Sequence, residues 1–156
     1  MGRMTATVAG VALAATGLLA APVSAADDLV TVTTKDAPFA TVAQDLNDAI
    51  VNRGFNIDYH GFIGDMLKRT AGDVGATKEL YSDAEFFTFC SAVVSRRVME
   101  AEIGNIAYCP YVLFVYEDAA MAGTVTVGFR KLPAGGGRDE VNTLLEEIAK
   151  QAAGGM

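Results

Sequence analysis

The stretch FCSAVVSRRVMEAEIGNIAYCPYVLFVYE, residues 89–117, decides how this chain folds. It opens on the end of a short apolar strand (86–90), passes Ser91 and enters a helix over 92–103. Serine suits the N-cap because its hydroxyl accepts from an orphan N–H of the first turn. Gly104-Asn105 ends that helix. Residues 106–116 then run apolar on both parities, which predicts a central strand covered on both faces. Pro110 inside the run predicts a bulge, since proline offers no N–H to a ladder.

Outward from this stretch the same logic recurs. Residues 29–34 alternate apolar residues with threonine and place Val30 and Val32 on one side. Asp36 and Pro38 mark a helix start, and Phe39, Val42, Ala43, Leu46, Ala49 and Ile50 follow at helical spacing until Gly54. Residues 55–62 return as a strand, with Phe55, Ile57 and Tyr59 on one face and Asn56, Asp58 and His60 on the other. A short helix over 64–70, anchored by Met66 and Leu67, leads into a glycine-punctuated connector over 72–82. Residues 124–130 read as a strand with Val125, Val127 and Phe129 inward. After a linker at 135–137, Val141, Leu144, Leu145, Ile148 and Ala152 form one stripe on a last helix.

These elements predict an α+β fold: a single two-layer domain with a mixed, mostly antiparallel sheet and helices mainly on one face. Two strand-helix-strand units, 29–62 and 86–116, make up most of it. The helix-free face is expected to carry Asn56, Asp58 and His60 at its edge. The C-terminal helix, a second subunit or a ligand would have to cover its centre.

Residues 1–25 read as a cleavable export signal: Arg3, an apolar run over 8–21, and the small residues Val23-Ser24-Ala25. The run is too short, and too broken by Thr16 and Gly17, to span a bilayer core of about 30 Å. The expected location is therefore periplasmic or secreted, with the domain over 26–133 and a glycine linker plus amphipathic helix over 134–156. The chain carries 12 Lys+Arg against 19 Asp+Glu, a formal charge of −7, with no basic cluster. That balance repels phosphate backbones and argues against nucleic-acid binding.

Several motifs together resemble the bacterial family called domain of unknown function 302. They are APF from Ala37, RGF ending at Phe55, GDMLKRT over 64–70, FCSAVVSRRVMEA over 89–101 and NIAYCPYVLFVYE over 105–117. In many relatives the proline precedes the second cysteine, whereas here Cys109 precedes Pro110. The resemblance implies the fold and an exported location, and carries no established activity.

Cys90 and Cys109 are the two cysteines. In an oxidising compartment two thiols in a small domain default to a disulfide, worth about 3 kcal/mol for a loop of this length. Geometry argues the other way. A helix joining strand 86–90 to strand 106–116 would make the two parallel, and another strand between them would put the thiols about 10 Å apart. The expectation is two unbonded thiols facing the same region of the sheet. Cys90 directly precedes a helix N-terminus, where thiolate is favoured. Cys90, Cys109, Met99, Arg96 and Tyr111 therefore form the candidate redox or ligand site. His60 and Met66 are the candidates for a soft metal. No Cys-x-x-Cys, serine elbow, phosphate loop or spaced carboxylate pair appears, so no residue is assigned a catalytic role and no cofactor follows. Tyr108, Tyr111 and Tyr116 fit either a pocket wall or a buried core.

The functional expectation is an exported, non-catalytic binding or accessory protein for a small molecule, a soft metal or a partner subunit. The alternatives are a thiol redox protein using Cys90 and Cys109, and a structural homodimer meeting through the sheet face or the C-terminal helix.

Overall fold

The computed structural model describes residues 28–154, together with Gly2. The export signal and cleavage site expected over residues 1–25 thus lie outside the described residues, Gly2 apart. The elements run β1 (Leu29–Lys35), α1 (Phe39–Val51), β2 (Ile57–Gly61), α2 (Ile63–Thr70), β3 (Tyr81–Phe89), α3 (Ala92–Ala101), a 3₁₀ helix (Ile103–Tyr108), β4 (Tyr111–Asp118), β5 (Thr124–Arg130) and α4 (Arg138–Gly154).

One five-stranded sheet in the order β1-β5-β4-β3-β2 forms the frame, and every neighbouring pair is antiparallel. α1 and α4 pack on each other and on one face of the sheet. α1 turns Val42, Leu46, Ala49 and Ile50 inward, and α4 contributes Val141, Leu145 and Ile148. They meet Phe87, Phe89, Leu113, Val115, Val127 and Phe129 from the strands. Burying each such side chain contributes about 1.5–3 kcal/mol. The result is an α+β two-layer domain in which α4 belongs to the same core as the strands.

The first correction concerns strand direction. β3 and β4 are direct neighbours and antiparallel, with Phe89 opposite Tyr111. The link between them is a helical excursion that returns to the end of the sheet it left. Residues 106–108 belong to the 3₁₀ helix instead of the strand, and Ile103 and Ile106 are exposed. Apolar parity misread them because a tight helix leaves apolar residues outside when nothing packs on them. Pro110 lies just before β4, after a cis peptide bond, and makes no bulge within it.

The second correction is a bulge in β2. The ladder pairs Ile57 with Phe89 but His60 with Phe87, so β2 holds one extra residue between them. An extra residue flips every later side chain to the other face. His60 therefore joins the helix-covered face, and Tyr59 moves to the helix-free one, where it is exposed.

That helix-free face is poor in charge and rich in rings. Tyr59 packs near Phe86 (5.7 Å between centroids), Phe114 near Tyr116 (6.1 Å) and Tyr81 near Tyr116 (5.5 Å). The ring of Phe86 lies over Gly61 and that of Phe114 over Gly128, in the space a Cβ would occupy. α4 does not cover this face, because its apolar stripe is spent on the core.

Candidate functional site

The cysteines stand just outside the Phe89–Tyr111 pair, Cys90 one residue after β3 and Cys109 two residues before β4. They form a disulfide, with Cα atoms 6.5 Å apart. The expectation of two unbonded thiols fails because no strand intervenes: β3 and β4 are adjacent, so their neighbouring ends come within bridging reach. The bond closes the neck of the α3 excursion.

Around it the helix start is well formed. Ser91 caps α3, its hydroxyl accepting from the Val94 N–H at 3.3 Å. One turn on, Ser95 lies 3.9 Å from Cys109 Sγ and donates to the Tyr111 hydroxyl at 3.2 Å. Sequence reasoning missed Ser95, although its i+4 spacing from Ser91 was visible. Tyr111 is buried, and burial first of all raises its phenol above the ordinary value; Ser95 opposes that and Glu140 adds to it. The phenol is thus neutral at physiological pH. Met99, one turn after Ser95, shares its side of α3 and is half-buried. Arg96 points into solvent, paired with Glu100 at 2.8 Å.

His60 meets Glu85, Nε2 to Oε2 at 2.7 Å, and is sandwiched by Phe62 and Phe87 at 4.3 and 4.1 Å. Met66 is at the surface of α2, its carbonyl accepting from Thr70 Oγ1 at 2.8 Å. Among the described residues no group of three or more His, Cys, Asp or Glu could hold a metal ion.

The feature that sequence reasoning did not find lies between the central strand β4 and its neighbour β5. β4 and β5 pair from Glu117–Val125 as far as Phe114–Gly128. Continued in register, the ladder would pair Leu113 with Phe129 and Val112 with Arg130, and it does neither. Instead residues 111–113 stay with β3, and Phe129 and Arg130 stay with β1. The chain beyond β5 is held away from β4. Lys131 N–H donates to the Asp28 carbonyl at 2.6 Å. Asn142 on α4 accepts from Leu132 N–H at 2.8 Å and donates to its carbonyl at 3.0 Å.

The resulting split holds a cleft of about 320 Å³. Leu29, Arg130 and Leu132 form one wall, and Pro110, Val112 and Phe114 the other. Buried Tyr111 and Leu145 make its floor, and Tyr108 lies at one end. Leu29 and Val112, half exposed, stand at its mouth on the helix-free face. Strand geometry turns backbone polar groups alternately to either side, so part of the 111–113 backbone faces the gap and not β3. A hollow of similar volume, about 330 Å³, lies between α2 and the 72–80 connector. Its walls mix charges, Lys78 beside Glu79, and its Lys68 is already bonded to the Ser82 carbonyl.

A search of family models finds no match, and none is found among curated proteins. A solved structure of an uncharacterized conserved protein, DUF302, from Bacillus stearothermophilus is similar, with a TM-score of 0.64 and 16% identity. The match covers 80% of this chain and 98% of that one. The chain therefore resembles the domain of unknown function 302 family in its fold, in line with its motifs.

Proposed function

We propose that this chain is an exported, non-catalytic binding protein whose ligand enters the cleft between β4 and β5. The observation that carries the reading is the interrupted β4–β5 ladder. A sheet gives up backbone pairing there and leaves an apolar chamber in its place. Small-molecule sites are typically such pre-formed apolar hollows with few polar groups. The remaining titratable cluster, His60 with Glu85, is held between rings and bonded to itself, a structural arrangement.

Nile red, an uncharged dye that brightens in apolar surroundings, tests the cleft directly. Saturable one-site binding is expected for the wild type, and V112W, which fills the mouth at a half-exposed position, should abolish it with Tm unchanged. Equal binding to both proteins, or none to the wild type, would overturn the reading.

Thiol–disulfide exchange has one observation in its favour: the Cys90–Cys109 bond sits at the start of α3. In that reading a substrate dithiol would be oxidised as the bond opens to two thiols. Turnover of a dithiol peptide with a re-oxidant present, lost in C90A, is its test.

A further inference from the structure

We infer that the cleft takes an anionic amphiphile, a medium-length chain or flat apolar body ending in one carboxylate, with Arg130 receiving the head group. The inference rests on the cleft being the binding site and names the chemistry it selects. Three observations converge on it.

The first is composition. Acidic residues outnumber basic ones in this chain, 19 to 12. Yet the cleft lining contains no carboxylate and a single cation, Arg130. The second is that Arg130 is unspent. The other lining side chains are apolar or are the two tyrosines. The Tyr111 hydroxyl is hydrogen-bonded to Ser95, and the Tyr108 ring lies under the Arg138 guanidinium, 5.5 Å from the ring centre. Among the described residues Arg130 makes no ion pair or side-chain hydrogen bond. Arg138, the nearest comparison, is fully engaged by Glu102, Asn105 and the Pro133 and Ala134 carbonyls. A guanidinium offers a planar fork that fits a carboxylate with two parallel hydrogen bonds.

The third observation is the layout along the depth of the cleft. Arg130 ends β5 at the exposed rim, whereas Leu145, 2% exposed, closes the bottom. An amphiphile would put its tail against Leu132, Phe114 and Leu145 and keep its charged end near solvent. A volume of about 320 Å³ lies at the small end of the ligand-site range of roughly 300–1,000 Å³. It suits one chain or a small ring system and is too small for a two-chain lipid. The overall negative charge disfavours anions at long range, but that field is screened beyond about 8 Å at physiological salt.

Three probes sharing one tail isolate the head group: decanoate, decanol and decylammonium, each titrated by calorimetry into the full disulfide-bonded protein. Decanoate should bind at one site, decanol at least tenfold more weakly (about 1.4 kcal/mol), and decylammonium not at all. In R130Q, decanoate affinity should fall to that of decanol, whose own binding should not move. V112W should remove binding of both. If decanoate and decanol bind alike and R130Q changes nothing, or if the cation binds best, the carboxylate inference falls while the cleft remains a site. If no probe binds and Nile red fails too, the cleft reading falls and the inference with it.

Discussion

Gly128 and Gly61 look alike in sequence but differ in what surrounds them. A Cβ on Gly128 would lie 2.5 Å from the Val30 carbonyl oxygen and 2.7 Å from the Phe114 ring. On Gly61 its three nearest neighbours would all be atoms of the Phe86 ring, the first at 2.2 Å. A ring on an open face can swing away, whereas a backbone oxygen in the β1–β5 ladder cannot. G128A should therefore cost about 1–3 kcal/mol, the usual penalty for overpacking, and G61A less, as read from urea midpoints at constant m-value. Tyr111 sets a pH limit. Its folded pKa lies above the ordinary value of 10.0, chiefly through burial. The unfolded chain then loses its phenol proton first, so this stabilisation is complete below about pH 10 and declines as pH rises further. Y111F should remove that alkaline component from the stability profile; an unchanged slope above pH 10 would count against it.

At the level of elements, the Cys90–Cys109 bond ties the ends of β3 and β4 and closes α3 with the 3₁₀ helix into a loop, at a sequence separation of 19. Restricting a loop of that length in the unfolded chain is worth about 3 kcal/mol. The C90A/C109A pair, or the reduced wild type, should lose that much in chemical denaturation. Hydrogen exchange should speed up mainly in α3 and the 3₁₀ helix, because β3 and β4 keep their ladder of pairs from Phe89–Tyr111 to Tyr81–Asp118. Uniform acceleration over the whole sheet would show that the bond holds up more than the excursion. β2 teaches a related lesson. One extra residue near Asp58 sends His60 to Glu85 and Phe87, and sends Tyr59 to the open face.

At the scale of the whole fold, α1 and α4 pack on one face of the sheet among the described residues, and the cleft opens onto the other. Among the described residues no helix is long and apolar enough to cross a membrane. Export is the expectation carried by Arg3, the apolar run over 8–21 and the small residues 23–25. N-terminal sequencing of protein from the producing cell should start at Ala26 or Asp27. Recovery of a chain still beginning at Met1 in the membrane fraction would refute processing.

Apart from the 3₁₀ helix Ile103–Tyr108, the order and type of the elements were legible in the chain itself. The stripes of α1 and α4, the alternation of β1 and β5 and the Ser91 cap follow from local periods of 3.6 and 2 and from a side chain's reach to its own backbone. The preference for helices on one side was legible too, in the half-polar strands. Strand direction after α3 was not, because a helix followed by a 3₁₀ turn can end at either edge of a sheet, and only packing on α4 and β3 selects one. The disulfide, the face of His60 and the β4–β5 split all hang on that choice and on the register of strands far apart in sequence. Arg130 reads as an ordinary strand-end cation until Asn142 draws Leu132 toward α4 and the gap beside it opens.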